Sequence, residues 1–292
     1  IRDRPTTVKL WYAAEDLRLA RAVFVNRLSR SEASFATTMD LLQERFGTRL
    51  GAVTLPWGEG EDFDGIIDLV RMKARHCNGA EAVESEIPEE YRAQAEEAHD
   101  HLCELVAEAD DELMMKYLEG EELTKEEIKA ALRKATISNE IVPVVCGSSY
   151  KNRGVQKLLD AIVDYMPAPT DVAAIKGTNP KTDEEEDRHP SDDEPFSALA
   201  FKIMTDPYVG RLSFFRVYSG HLATGSTVLN STKNVKERIG RILQMHANHR
   251  EDIDTVYSGD IAAVVGLKNT TTGDTLCDPK NPVILELSLI HI

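Results

Sequence analysis

The chain has 292 residues, of which 42% are hydrophobic and 29% charged, and its formal net charge is −16. This length excludes a mini-protein and predicts about two domains; the hydrophobic fraction excludes a disordered chain, and the apolar runs are far shorter than the ~20 residues that span a bilayer. The acidic balance argues at first against nucleic-acid binding, which needs clustered Lys and Arg.

The four cysteines lie far apart and show no C-x-x-C spacing: Cys77, Cys103, Cys146 and Cys277. This distribution excludes a metal knuckle or a redox motif and indicates a reducing, cytoplasmic setting. The chain begins without Met and enters a helical pattern almost at once. We therefore expect it to be an internal piece of a longer protein.

The first predicted strand is residues 22–25, and a helix follows from Phe35 to Phe46, with Gly47 after it. Residues 81–127 then carry 18 acidic and 3 basic side chains. Apolar or small residues recur there at helical spacing from Tyr91 to Tyr117, which predicts one long acidic helix. The pair Thr124 and Glu127 has capping-box spacing and predicts the start of a shorter helix. We interpret this region as a helical insert with solvated carboxylates, because they lack the spacing of a metal site.

After the insert, residues 141–146 predict a second buried strand and residues 147–152 a polar loop. The next helix is predicted to bury its apolar side chains, which are Val155, Leu158, Leu159, Ile162, Val163 and Met166. Strand-loop-helix units build parallel sheets that bind ligands beyond the carboxyl ends of their strands. The basic residues of this helix start, Lys151, Arg153 and Lys157, are interpreted as solvated in preference to a nucleotide or RNA contact.

Residues 171–193 are acidic and predict a linker or exposed loop. From residue 196 onward about six short strands separated by turn signals predict a closed or nearly closed β-barrel. They lie at residues 198–203, 211–219, 227–229, 236–245, 261–266 and 283–285. The fold class is therefore α/β with a helical insert, followed by an all-β barrel.

Two loops follow strands of the α/β part. In isolation, Asn26 is a turn-forming residue at a strand end, and Ser148 and Ser149 are helix-entry caps. Both loops also resemble the base-reading loops of GTPases: residues 24–30 stand in the place of N-K-x-D, and residues 146–149 match the S-A-x loop. The order of the two loops along the chain favours the guanine interpretation.

The chain as a whole resembles translation elongation factor G, the ribosomal translocase family, from about Trp11 to about Glu286. The segments that carry this resemblance are FVNRLSR (24–30), GIIDLVRMKA (65–74), residues 112–169, DDEPFSALAFKIMTDPYVGRLSFFRVYSG (192–220), QMHANHREDI (244–253) and GDIAAVVGLKNTTTGDTLCDP (259–279). The resemblance implies the following organisation: the C-terminal part of a P-loop-type GTPase domain at 1–50, the G′ insert at 51–140, the last strand and helix of that domain at 141–170, the acidic linker at 171–193, barrel domain II at 194–287 and a non-family tail at 288–292.

The resemblance also implies a guanine site formed by Asn26, Arg27, Ser29, Ser148 and Ser149. The family carries Lys where this chain has Arg27, and an Asp that reads guanine N1 and N2 where it has Ser29, so guanine specificity is expected to weaken. GTP or GDP is the implied cofactor, and Mg²⁺ belongs to the intact parent. The P-loop, switch segments and catalytic loop of the family precede residue 1, and we expect the chain alone not to hydrolyse GTP.

The implied partner is the ribosome. Four arginines alternate with apolar residues on predicted barrel strands and are expected to face small-subunit ribosomal RNA; they are Arg211, Arg216, Arg238 and Arg241. The acidic insert is expected to meet the ribosomal stalk protein through Glu104, Glu108 and Asp111. A monomer with no membrane contact is expected. A non-catalytic ribosome-binding paralogue with a decayed guanine site is the alternative, and tetracycline-protection proteins and release factor three fit less well.

Overall fold

The computed structural model describes residues 5–47, 49–78, 81–206, 209–246 and 249–285. The chain divides into two compact units, residues 1–167 and residues 168–292. The first unit is α/β and the second consists of antiparallel β-structure. The predicted fold class is therefore confirmed, while the tail predicted at residues 288–292 lies outside the described residues.

The first unit contains a small parallel sheet. Its strands are ordered β1-β7-β2, and β7 pairs in parallel with both neighbours. The helices of this unit are α1 (Pro5–Asp16), α2 (Phe35–Phe46), α3 (Glu89–Ala107), α4 (Asp111–Leu118), α5 (Lys125–Ile137) and α6 (Val155–Tyr165). Its strands are β1 (Val23–Val25), β2 (Leu50–Ala52), β3 (Thr54–Trp57), β4 (Gly65–Asp68), β5 (Lys73–Asn78), β6 (Glu81–Ser85) and β7 (Val142–Cys146). Both predicted α/β strands and the helix α2 are confirmed.

The insert was predicted to be helical, but it also contains a β-sheet. Strands β3, β4, β5 and β6 form an antiparallel sheet in chain order, ahead of helices α3 to α5. The strand β4 is buried throughout, so it lacks the alternation of polar and apolar residues that reveals a half-exposed strand. This sheet follows the first loop and α2 in the chain. The segment that joins β3 to β4 contacts both loops of the candidate site.

The predicted long acidic helix is two helices. Asp110 adopts an extended conformation, and its side chain accepts a hydrogen bond from the backbone N–H of Glu112 (3.2 Å), which starts α4. An Asp side chain competes in this way with continuation of a helix. The capping box of α5 is confirmed: the Glu127 N–H donates to Thr124 Oγ1 (3.3 Å), and the Thr124 N–H donates to Glu127 Oε2 (2.8 Å).

The buried face of α6 also differs from the prediction. Leu159, Ile162 and Val163 are 58%, 47% and 77% exposed, and the side chains that α6 buries are Lys157, Ala161 and Tyr165. The predicted face is therefore wrong for these three apolar residues. The physical reason is the buried partner of Lys157, the carboxylate of Asp68 on β4, which lies 2.7 Å from the Lys157 ammonium and holds that side of the helix inward.

The second unit begins with a hairpin inside the segment predicted as a linker. Strands β8 (Ile175–Thr178) and β9 (Glu185–Arg188) pair antiparallel, and β8 also pairs with β20 (Ile284–Leu285). The interpretation of these residues as an exposed loop is corrected. Their acidic composition hid the hairpin, because charged side chains can line its outer face while Arg188 is buried.

A barrel makes up the rest of the second unit. Its strands are β10 (Ser197–Asp206), β11 (Gly210–Ser219), β12 (Leu222–Ala223), β13 (Thr227–Asn230), β14 (Val235–Arg238), β15 (Ile242–His246), β16 (His249–Ile253), β17 (Thr255–Val256), β18 (Ile261–Val265) and β19 (Thr275–Cys277). Eight of them form one sheet in the order β14-β13-β19-β10-β11-β18-β15-β16, and β12 pairs with β17.

One bent segment closes this sheet. The sequence predicts a single strand at residues 236–245, whereas the structure divides it into β14 and β15. At the bend, the N–H of Ile239 donates to the Ser226 carbonyl (2.8 Å), and the Arg241 carbonyl accepts from the N–H of Val265 (3.1 Å). The bent segment thus bonds beside β13 at one end of the strand order and to β18 near the other, which closes the predicted barrel around a core that includes Phe215 and Val264.

Candidate functional site

The two loops singled out by sequence meet at one edge of the parallel sheet. Val25, the last residue of β1, is in register with Cys146, the last residue of β7. Beyond them the Gly147 N–H donates to the Val25 carbonyl (3.0 Å), and the Leu28 N–H donates to the Gly147 carbonyl (3.2 Å). This edge, at the carboxyl ends of parallel strands, is where such sheets bind ligands.

Asn26 joins the first loop to the second. Its side-chain amide nitrogen donates to the Ser149 hydroxyl (2.9 Å), and its amide oxygen accepts from the backbone N–H of Ser149 (2.9 Å). The same oxygen accepts from the backbone N–H of Arg27 (2.8 Å), whose φ of +67° lies in the left-handed region. Asn26 therefore connects the two loops. The alternative interpretation, a turn residue that acts only within its own loop, does not account for the bonds to Ser149.

A second contact between the loops joins Ser29 to Ser148. Their hydroxyl oxygens are 2.8 Å apart and share one hydrogen bond. Ser148 is 1% exposed, and Ser29 is half-buried. One hydroxyl donates to the other, and because both groups are neutral the pair presents no negative charge toward the edge of the sheet.

The second loop is shaped by two glycines. The Ser148 N–H donates to the Arg153 carbonyl (2.8 Å), which folds residues 148–153 into a tight turn. A Cβ on Gly147 would lie 2.5 Å from that carbonyl oxygen, and one on Gly154, whose φ is +77°, would lie 2.5 Å from the Cys146 carbonyl oxygen. Any larger residue at either position would displace the loop.

The insert holds both loops from one side, a feature that sequence reasoning missed. Its Gly60 N–H donates to the Leu28 carbonyl of the first loop (2.8 Å). Its residues Phe63 and Asp64 hold Arg153 of the second loop: the guanidinium donates to the Phe63 carbonyl and lies 3.5 Å from the Asp64 carboxylate. Arg153 and Lys157 are thus internal braces, and the interpretation of these two side chains as solvated is wrong.

The last residue of β7, which precedes the second loop, is shielded from solvent. The Cys146 thiol is fully buried, and burial raises its pKa to about 12, so it remains a neutral thiol at physiological pH. Its backbone N–H donates to the Thr54 hydroxyl (2.9 Å). Cys146 is therefore a packing residue of this edge and not a nucleophile.

The four barrel arginines are in different surroundings. Arg211 donates from its guanidinium to the carbonyls of Lys268 and Thr270, and Arg241 forms a bidentate pair with Asp252 (2.8 Å and 2.8 Å). Arg216 is half-buried against the ring of Tyr218, and Arg238 is exposed. In the part of the chain that the structure describes, the Arg238 side chain has no ion pair, hydrogen bond or ring contact, whereas each of the other three has at least one.

The acidic residues of the insert are exposed, and part of their charge is balanced locally. Arg49 balances Glu108 at a distance of 3.1 Å, and Glu104 lies 3.8 Å from the His101 ring on the same helix. Together with α2 and β2 they line an open groove of about 560 Å³. A hydrogen bond from Lys134 lowers the pKa of Asp110 at the start of α4, which keeps that carboxylate charged.

The described residues show neither a metal cluster nor a membrane-spanning helix. No group of three or more His, Cys, Asp or Glu side chains among them has an arrangement that could hold a metal ion. In the same residues, no helix combines the length and the apolar character needed to cross a membrane.

Comparisons with known proteins agree on the two halves of the chain. The family model of the elongation factor Tu GTP binding domain matches residues 3–168, and that of elongation factor G domain 2 matches residues 195–279. The crystal structure of ttk003000868, a protein of Thermus thermophilus, is similar over 94% of this chain, with a TM-score of 0.76 and 26% sequence identity. The match covers 38% of that protein, so the chain spans well under half of its length.

Proposed function

This chain belongs to the elongation factor Tu GTP-binding domain family, and from that membership we propose that it is part of a ribosome-associated translation GTPase of the elongation factor G type. The parent protein would use GTP binding and hydrolysis to move tRNA and mRNA through the ribosome during elongation. The observation that carries the proposal is the pair of hydrogen-bonded loops at the carboxyl edge of β1 and β7.

Guanine is the group that these loops would bind. Asn26 would hold the two loops in register, and a backbone N–H of the second loop that is not bonded within the protein would donate to the base oxygen. In the structure the N–H of Ser149 donates to the Asn26 amide oxygen, which supports this bracing role for Asn26. Ser29 stands where a carboxylate would read the base. Without that carboxylate two charge-assisted hydrogen bonds to guanine are absent, which costs on the order of several kcal/mol of guanine discrimination.

Hydrolysis would require groups that these residues do not supply. Phosphoryl transfer depends on a phosphate-binding loop and on Mg²⁺ held between protein and phosphates. The 292 residues contain no G-x-x-x-x-G-K-[ST] motif. We therefore expect the chain alone to bind nucleotide weakly through the base and not to hydrolyse it.

The proposal is tested by titrating the chain with fluorescent GDP and fluorescent ADP. Ser29→Asp restores the carboxylate and is expected to raise GDP affinity by at least about tenfold, with no change for ADP. Ser31→Asp adds the same charge at an exposed position of the same loop and serves as the matched control. Equal gains for both nucleotides, or equal gains by both variants, would mean that charge alone and not base reading causes the effect.

A second candidate function is favoured by the bond between Ser29 and Ser148. Because these two neutral hydroxyls bond to each other where a carboxylate would read the base, the edge could belong to a non-catalytic ribosome-binding protein whose guanine site has decayed. Such a protein would bind neither nucleotide, with or without Ser29→Asp, and would still sediment with ribosomes at low salt.

Ribosomal RNA is the partner that we propose for the barrel. Arg238 is the best-placed contact, because it is exposed and has no ion pair with any described residue. We expect Arg238→Gln to lower the slope of log affinity against log salt by about one, as loss of one phosphate contact does. Arg241→Gln, whose side chain is already paired with Asp252, is the comparison and should change the slope less.

The ribosomal stalk protein is the partner that we propose for the insert. Charge reversal of Glu104, Glu108 and Asp111 together should weaken binding in a pull-down at low salt. Reversal of the three glutamates within residues 119–122, which are also exposed, provides a control with the same change in net charge. Equal binding by the first variant and the unchanged chain would refute this contact.

The remaining parts of the proposal concern setting and assembly. We propose a cytoplasmic location and a monomeric state, with GTP or GDP as the cofactor and Mg²⁺ bound by the intact parent. These follow from the family and not from contacts in the chain. Sedimentation equilibrium of the purified chain tests the monomer.

A further inference from the structure

The insert reaches the second loop partly through a half-buried carboxylate, that of Asp64. This residue lies on the segment between β3 and β4, where its backbone N–H donates to the Trp57 carbonyl (2.9 Å). Its Oδ1 lies 3.5 Å from the guanidinium of Arg153, and its Oδ2 lies 2.7 Å from Nδ1 of His76. The carboxylate therefore stands between the second loop and strand β5, which carries His76.

His76 is held on the insert by its strand and by its ring. Its backbone is in register with Gly65, the residue after Asp64, in the antiparallel pair of β4 and β5. The imidazole packs edge-on to Trp57, with 5.9 Å between the ring centres. An ionised carboxylate only accepts hydrogen bonds, so Nδ1 of His76 carries the proton and donates to Asp64.

Arg153 connects Asp64 to the second loop. Its guanidinium donates to the carbonyl of Phe63, the residue before Asp64. Its backbone bonds to Ser148 in both directions: the Ser148 N–H donates to the Arg153 carbonyl (2.8 Å), and the Arg153 N–H donates to the Ser148 carbonyl (3.1 Å). A displacement of Arg153 therefore acts on the residue whose hydroxyl bonds to Ser29.

Two partners restrict the Asp64 side chain more than one partner would. An ion pair at this exposure contributes little by itself, because holding two flexible side chains together costs rotamer freedom. The hydrogen bond from His76 already fixes one carboxylate oxygen. The other oxygen then remains directed at Arg153 without a further loss of freedom.

We propose that His76 is a positioning residue of the candidate nucleotide site, which holds Asp64 against Arg153 and thereby fixes the turn at Ser148. The inference rests on the proposed function for its effect on GDP binding, and on the contacts within the first unit for its effect on the turn. By this route, a change on strand β5 alters the loop that faces the base.

Two variants separate this role from packing. His76→Phe keeps a ring against Trp57 and removes the donor, whereas His76→Asn removes the ring and keeps a donor near the place of Nδ1. Hydrogen exchange of the Ser148 N–H, measured by NMR on the full chain, reports opening of the turn. His76→Phe should speed this exchange by about three- to tenfold, and His76→Asn should leave it close to that of the unchanged chain. His101→Phe, the same change at a 69% exposed ring near Glu104, is the matched control.

A second measurement relates the turn to the nucleotide. In the Ser29→Asp chain, His76→Phe should weaken binding of fluorescent GDP by about three- to tenfold, whereas His76→Asn and His101→Phe should leave it unchanged. If the Ser29→Asp chain binds no GDP, the proposed function fails at the guanine site, and exchange of the Ser148 N–H still decides the role of His76.

Asp64→Asn tests the route from His76 to the loop. It keeps the shape of the side chain and removes its charge, so it should speed exchange of the Ser148 N–H as His76→Phe does, and combining the two should add little. His76→Leu replaces His76→Phe if the latter fails to fold by circular dichroism. Unchanged exchange in the folded variant without the donor, equally fast exchange in His76→Asn, or fully additive effects of the two substitutions would overturn the proposal.

Discussion

Replacing Lys157 by Met should destabilise the first unit through the charge that it leaves behind. The ammonium of Lys157 lies 2.7 Å from Asp68, and the two side chains are 3% and 0% exposed. Met fills a similar volume, so the main effect is an uncompensated buried carboxylate. Asp68 would keep two backbone donors, the N–H groups of Val70 (3.1 Å) and Arg71 (3.2 Å).

The expected loss follows from these contacts. Removing one member of a buried ion pair costs about 3–5 kcal/mol. We expect the lower end, because Asp68 keeps its two backbone donors and because its Oδ2 has no well-aligned hydrogen bond within the described residues, which makes the contact with Lys157 chiefly electrostatic. A loss of about 3 kcal/mol corresponds to a fall in melting temperature of about 6–12 °C for a unit of this size.

The assay can be restricted to the first unit. Both tryptophans, Trp11 and Trp57, lie in residues 1–167, so tryptophan fluorescence follows the unfolding of that unit. Lys125→Met, at a 61% exposed side chain, is the matched control. The double variant Lys157→Met with Asp68→Asn should recover part of the loss, because the buried charge is gone. A loss below about 1 kcal/mol for Lys157→Met, or no recovery in the double variant, would refute the reasoning.

Three further outcomes are expected. Gly147→Ala would place a Cβ 2.5 Å from the Arg153 carbonyl oxygen, so it should displace the second loop and abolish GDP binding of the Ser29→Asp chain in the fluorescence titration. Thr124→Ala removes the cap of α5 and should cost about 1 kcal/mol in urea unfolding followed by tryptophan fluorescence; no change would mean that the cap is redundant. Hydrogen bonds from Lys116, and then from Thr124, lower the pKa of Glu127 from 4.5 to about 2. Its stabilisation is therefore complete above about pH 4.5 and is lost as the pH falls toward 2, a step in helical circular dichroism that Glu127→Gln should lack.

Local signals in the sequence were sufficient where one short segment decides the structure. The capping box at Thr124, the α2 helix and the strands ending at Val25 and Cys146 depend on residues close in the chain. The charge count also separated an acidic insert from a barrel segment with ten charges of each sign. The barrel was predicted because turn residues mark the ends of most of its strands.

The sequence misled where a charged residue is not solvated. Lys157 is buried because it pairs with Asp68, which is distant in the chain. Arg188 is buried beside Glu186, which is two residues before it. The predicted α6 face and the predicted linker at the hairpin were wrong for this reason. Periodicity treats every Lys and Arg as exposed, and a buried ion pair reverses that rule.

The sequence by itself determined the fold class, the strands and helices of the α/β part that flank the insert, and the two loops that carry the candidate site. Only the tertiary structure decided how those loops contact each other: Asn26 bonds across to Ser149, Ser29 shares a hydrogen bond with Ser148, and the insert holds Arg153. The reason is sequence separation. Asn26 and Ser149 are 123 positions apart, and a contact of that kind is set by the packing of the strands beneath it, which leaves no local pattern in the chain.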